Sequence, residues 1–248
     1  MMKMIKKIFK ENKIFFFNYD QNSFFEGLYR FFGIIISPIF IKLSPNLISF
    51  LSLLCGFIGL ILSVLFSIKI NYVVFFFLFS FVLDFTDGLV ARFTNKTSFY
   101  GRFIDGLFDI IVTSFLHIVF LIYLIDNQVV ETNSFYFIIL LILLILVPIQ
   151  HLILDRFSAL ARWCNDLRNN KNIKPYYRNI FFGGITKLLF DFQHLCIWLL
   201  IFNNFIKEYL ILILFFILSG VASVLNLFIY IYISKKKFSE VENPLDNN

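Results

Sequence analysis

Four aspartates, Asp84, Asp87, Asp105 and Asp109, stand in stretches otherwise dominated by Phe, Leu, Ile and Val. On helices, Asp84 and Asp87 are i,i+3 neighbours and Asp105 and Asp109 are i,i+4 neighbours, so each pair shares a face. Gathered carboxylates repel one another and need protons or cations to neutralise them. Hard oxygen donors without His or Cys beside them in sequence suit Mg²⁺ or Mn²⁺ better than zinc. Two such ions can clamp the oxygens of a phosphoryl group under attack. The neighbouring residues fit that chemistry. Gly88, Ala91 and Gly101 remove side-chain bulk where a nucleotide could approach the backbone, and Arg92 is a natural bidentate partner for phosphate.

The elements that must carry these residues are membrane helices. Of 248 residues, 59% are apolar and only 15% charged, against 45–50% and about 25% in soluble domains; the mean hydropathy is +0.82. Six segments are long enough to approach a hydrocarbon core of about 30 Å: Leu47–Ile68, Val73–Ala91, Phe103–Ile125, Phe135–Leu154, Leu188–Phe202 and Leu210–Ile233. The fifth is the shortest and carries Asp191 and His194. Phe24–Leu43, with Glu26, Arg30, Pro38 and Lys42, reads as an amphipathic helix in the interface; a seventh span broken at Pro38 is the alternative. Pro45 and Asn46 mark the start of the first span. The expected fold is therefore all-α, a polytopic bundle of six transmembrane helices with an N-terminal interfacial helix. It divides into a cytoplasmic N-terminus and interfacial helix (1–46), a transmembrane catalytic domain (47–233) and a cytoplasmic tail (234–248).

Charge sets the orientation. With both termini cytoplasmic, 20 of the 22 Lys and Arg residues fall inside and only Lys69 and Lys207 outside, as positive-inside insertion requires. A cytoplasm-facing membrane, such as a cell inner membrane, follows. The net charge of +6 is absorbed by this asymmetry, and no soluble basic face is left to bind nucleic acid. Cys55, Cys164 and Cys196 form no CxxC pair, and His117, His151 and His194 are widely spaced, as expected of bundle packing or helix-end hydrogen bonds. The first 13 residues are basic, but a polar stretch, Asn18–Ser23, follows before any long apolar run, which argues against a cleavable signal peptide.

Depth then gathers the acids. At 1.5 Å per residue, Asp87 and Asp84 lie about 7 and 12 Å below Arg92, and Asp105 and Asp109 about 5 and 10 Å below Arg102. One ionised group near mid-bilayer costs about 2.5–3.5 kcal/mol on the mildest scale; four at one level call for a function. An ion or small-solute transporter could use such a layer, although broken helices and internal repeats are missing from the sequence. A structural, non-catalytic membrane protein is a third reading, and the intact acid set argues against it.

The stretch from Asp84 to Asp109, DFTDGLVARFTNKTSFYGRFIDGLFD, resembles the signature of the CDP-alcohol phosphatidyltransferases, D-x2-D-G-x2-A-R-x8-G-x3-D-x3-D, at every fixed position. That family tends to carry P-N-x-x-T before its first span; here Pro45, Asn46 and Ser49 keep the pattern with a Ser hydroxyl. The resemblance implies a phospholipid-biosynthetic transferase of the class that moves substituted phosphate groups. The donor would be CDP-diacylglycerol or a similar CDP-alcohol, the acceptor a small hydroxyl compound, and the by-product CMP. Asp84, Asp87 and Asp105 would hold two Mg²⁺ or Mn²⁺ ions, with Asp109 on the second ion and acting as general base. Asp84, Asp87, Gly88, Ala91 and Arg92 would bind the CDP moiety, and the protein would be a homodimer open to the bilayer. Arg156 and Arg162, at the cytoplasmic end of the fourth span, are candidates for an acceptor phosphate.

Overall fold

The computed structural model describes residues 24–66, 69–167, 197–201 and 209–238. The described residues form six long helices: α1 (Phe24–Phe40), α2 (Pro45–Phe66), α3 (Ile70–Phe93), α4 (Phe99–Asp126), α5 (Phe135–Leu167) and α6 (Tyr209–Phe238). α2 packs on both α3 and α4, α1 lies across α3, and α5 packs on α4 and α6.

The expected six spans are reduced to four among the described residues. Pro45–Leu65, Ile70–Phe93, Phe99–Asp126 and Phe135–Ile153 are long and apolar enough to cross a membrane. The fifth segment falls largely outside the described residues; 197–201 are helical. The sixth is the helix α6, whose apolar stretch Gly220–Lys235 is shorter. α1 has 17 residues, about 26 Å at 1.5 Å each. Phe25, Tyr29, Ile34 and Ser37 are buried on one side of it, while Phe32, Ile35 and Ile39 are exposed on another.

Small residues let the spans approach. A Cβ on Gly56 would stand 2.9 Å from the Val112 side chain, and one on Gly59 would stand 2.8 Å from Phe77. Glycine at these positions draws α2 onto α4 and α3, as is common where van der Waals packing drives helix association in lipid. Midway along α2 and α3, Ser52 donates to Ser80 O at 2.9 Å and Ser80 donates to Ser52 O at 2.7 Å.

The turn between α3 and α4 fixes where the acids meet. α3 ends in a Schellman motif: Asn95 takes φ 56°, its N–H donates to Arg92 O at 3.4 Å, and Lys96 N–H donates to Ala91 O at 2.9 Å. Asn tolerates this left-handed conformation. Ser98 then caps α4, accepting from Gly101 N at 2.9 Å, so α4 begins four residues before the expected Phe103. α5 also exceeds its expected end at Leu154. It runs unbroken through Pro148 to Leu167, so Arg156 and Arg162 stand on a helix rather than in a loop.

Candidate active site

At the turn end of α2, α3 and α4 lies a cavity of about 180 Å³. α2 contributes Pro45, Asn46 and Ser49, and α3 contributes Asp87, Gly88, Ala91 and Arg92. The α3–α4 turn and α4 supply Lys96, Thr97, Ser98, Gly101, Arg102 and Asp105. At Gly101 a Cβ would stand a tight 3.1 Å from both Asn46 Oδ1 and Ser98 Oγ. The Arg92 guanidinium folds back along α3 over Gly88: its Nη1 lies 3.4 Å from where a Cβ would be.

Asp87 and Asp105 line the cavity, and Asp84 lies against them outside its lining. Asp84, Asp87 and Asp105 each offer a carboxylate oxygen, all within 4.8 Å of one another. Asp87 is only 4% exposed and accepts a hydrogen bond from the Ser49 hydroxyl. Asp105 is within hydrogen-bonding reach of Asp84 and Asp87, yet its buried Oδ1 has no partner. A cluster of carboxylates in mutual contact, with one buried oxygen unbonded, is electrostatically incomplete. All its donors are hard oxygens, and the residues present therefore fit a divalent cation.

Asp109 stands apart from this set. It lies one turn deeper on α4, close enough for its charge to act on Asp84 and Asp105. It also faces His151 of α5, whose charge acts on it. His151 is 6% exposed. Of the remaining sequence candidates, Arg156 is exposed on α5 and does not line the cavity, and the side chain of Arg162 lies outside the described residues.

Three further residues stand near the acids without a local sequence signal that singles them out. Ser49 was noted for its hydroxyl but not for its contact with Asp87. His151 passed as packing, although it lies five residues, about 8 Å, from Arg156 and hence at the depth of Asp109. Arg30 of α1, an interfacial charge by sequence, holds its guanidinium carbon 5.6 Å from the ring centroid of Phe85, the residue after Asp84.

The sequence model of one protein family, described as CDP-alcohol phosphatidyltransferase, matches residues 42–222, about three quarters of the chain. The chain belongs to the CDP-alcohol phosphatidyltransferase family. No curated protein and no solved structure matches it significantly. The match runs from the approach to α2 into α6 and so spans every residue of the acid cluster. It leaves α1 outside. Membership supports the general CDP-alcohol phosphatidyltransferase-type reaction, which decides against the transporter reading of the acidic layer.

Proposed function

We infer that this phosphatidyltransferase takes CDP-diacylglycerol as donor and transfers its phosphatidyl group to a small hydroxyl acceptor, with release of CMP. The observation that carries this reading is the unsatisfied carboxylate cluster at a cavity rimmed by Arg92 and bare backbone at Gly88. Asp84, Asp87 and Asp105 would hold two Mg²⁺ or Mn²⁺ ions, with Asp109 reaching the second; bound there, they neutralise charge on the phosphates. Gly88 and Ala91 leave room for the CDP moiety against α3, and Arg92 binds its phosphate through a charge-assisted pair. Asp109 accepts the proton of the acceptor hydroxyl. The new bond joins that oxygen to the phosphorus nearest the lipid, and the bond from this phosphorus to CMP breaks. His151, beside Asp109, orients its carboxylate. Arg156 and Arg162 remain candidates for an acceptor phosphate by their position at the cytoplasmic end of α5.

We assign six spans in all, both termini and the site to the cytoplasmic side of a cell inner membrane or similar membrane, and a homodimeric state. The basic-residue asymmetry supports the orientation, and family membership supports the rest. In a cysteine-free background, Thr132→Cys should react with an impermeant thiol reagent from outside; protection there overturns the orientation. Light scattering of the purified protein should return twice the mass of one chain in protein, and a monomer overturns the dimer.

The deciding experiment is CMP release from CDP-diacylglycerol by purified protein with Mg²⁺ or Mn²⁺. The acceptor panel should include glycerol phosphate, inositol, inositol phosphate and serine. One acceptor should support turnover well above the rest. No CMP release with any of them, while another CDP-alcohol is turned over, overturns the choice of donor.

A further inference from the structure

The guanidinium of Arg30 has an unusual setting. Its carbon stands over the Phe85 ring, and its Nε is buried without a hydrogen-bond partner. Among the described residues no carboxylate pairs with it. An aromatic face attracts the charge but offers no lone pair to accept from Nε–H, so that donor remains unused. Gly33, one turn further along α1, accounts for the closeness: a Cβ there would stand 3.2 Å from Thr86 Oγ1 and 3.5 Å from Leu89. α1 is thus pressed onto α3 beside the acids, and Arg30 is held there rather than left to snorkel freely.

Arg92 completes the arrangement. Phe85, Gly88 and Arg92 follow one another at i, i+3 and i+7 along one stripe of α3. Arg30 lies over Phe85 and the head of Arg92 lies over Gly88. Phe85 and Gly88 are three residues, about 4.5 Å, apart along α3, and the charges of the two guanidinium groups act on one another. Asp87 and Asp105 offset Arg92; among the described residues no carboxylate pairs with Arg30. Two like charges held together at a partly buried site are unfavourable until an anion sits between them. Guanidinium forks match phosphate oxygens in geometry and charge.

We propose that Arg30 and Arg92 together form a seat for a phosphate ester between α1 and α3, on the edge of the acid cluster. The proposal rests on the transferase reading above. Phe85 lies between Asp84 and Asp87 in sequence, so a phosphate seated there is at the level of the carboxylates. It belongs either to the donor, as the phosphate next to the lipid, or to a phosphorylated acceptor. The exposed apolar residues Phe32, Ile35 and Ile39 of α1 give lipid chains a path beside the same helix.

The test uses the full-length protein with Arg30→Met, which keeps an apolar stem without charge, and Arg30→Lys, which keeps charge without the fork. KM for donor and acceptor, kcat, Tm and equilibrium binding of CDP-diacylglycerol are measured for each. Arg30→Met should raise one KM by about 10- to 100-fold with a much smaller change in kcat, and Arg30→Lys should recover part of the loss. A rise in donor KM together with weaker CDP-diacylglycerol binding assigns the seat to the donor. A rise confined to a phosphorylated acceptor assigns it to the acceptor. Both support the seat. If wild type turns over and folded Arg30→Met leaves both KM values and donor binding unchanged, the seat is overturned while the transferase reading stands. Should Arg30→Met not fold, unchanged KM values and binding in Arg30→Lys overturn it equally. A wild type that neither binds nor turns over these ligands overturns the transferase reading, and the seat with it.

Discussion

Two polar clusters occupy the same seam between α2 and α3, and they differ in whether they are closed. At Ser52 and Ser80 each hydroxyl donates to the other residue's carbonyl, at 2.9 and 2.7 Å, and the hydroxyl oxygens are 3.0 Å apart. One turn along α2, Ser49 donates to Asp87. There the seam opens onto Asp84 and Asp105 and a buried oxygen with no partner. The first cluster completes its hydrogen bonds from its own atoms and needs nothing more from its surroundings. The second gathers three carboxylates, with the charge of Arg92 acting on two of them. Buried polar groups are normally satisfied; among the described buried atoms without a partner the Asp105 oxygen alone belongs to a carboxylate, and the contrast separates a closed polar contact from one open to a ligand.

The strongest way to break this contrast is to remove what the open cluster is built to hold. A strong chelator should bring CMP release to background, and Asp84→Asn or Asp105→Asn should lower activity by about 10³-fold or more, the scale of several kcal/mol of lost charge stabilisation. The same variants should bind Mn²⁺ more weakly in a calorimetric titration. Full turnover after chelation would falsify the divalent-cation reading.

Asp109 sharpens the comparison from within the site, because it lies outside the closely gathered three. Asp109→Asn should keep CDP-diacylglycerol binding and lose about 10²- to 10⁴-fold in kcat, the usual contribution of a general base. Near-normal kcat would remove Asp109 from proton transfer. Loss of donor and metal binding to the extent seen with Asp84→Asn would make it a ligand instead.

What could be read in advance follows the range of the interactions involved. The four acids, the spans that became α2 to α5 and the helix start at Pro45 rest on local spacing, hydropathy and capping, all present in adjacent residues. The depth argument brought Asp84, Asp87 and Asp105 together because two helices joined by a short turn leave few alternatives. The end of α5 was missed because the helix continues past the apolar stretch into Asp155, Arg156 and beyond, where hydropathy no longer reports it. Contacts between distant elements were also hidden. Ser49 meets Asp87, and Arg30 meets Phe85, through packing that no periodicity encodes. His151 was the exception, since matching its depth to that of Asp109 would have singled it out.

Ser49 links the two clusters and offers a smaller effect. It touches a metal-ligand candidate without itself belonging to the acid set. Groups in that position typically contribute 10- to 100-fold to metal affinity or activity. Ser49→Ala should raise the Mg²⁺ or Mn²⁺ concentration for half-maximal activity by about 10-fold, and Ser49→Thr should restore it. An unchanged metal requirement in Ser49→Ala would make the hydroxyl a packing feature, like those of Ser52 and Ser80.

The smallest effect is expected at the closed pair, and it must leave catalysis untouched. Ser52→Ala removes one donor to Ser80 O, and Ser80→Ala removes one donor to Ser52 O. Each carbonyl also has its place in the helix ladder, so neither is left bare. The unfolded chain in a membrane finds other partners for such groups, which holds the average interhelical hydrogen bond to about 0.6 kcal/mol. Each single variant should therefore lower stability by about that amount in reversible denaturation in detergent, with kcat and both KM values as in wild type. Because the two hydroxyls contact each other, the double variant should cost less than the sum of the singles. Strict additivity would show that the hydroxyls act independently. A fall in kcat without a loss of stability would mean that the closed pair communicates with the acids one turn away, and the division between a structural and a chemical polar cluster would not hold.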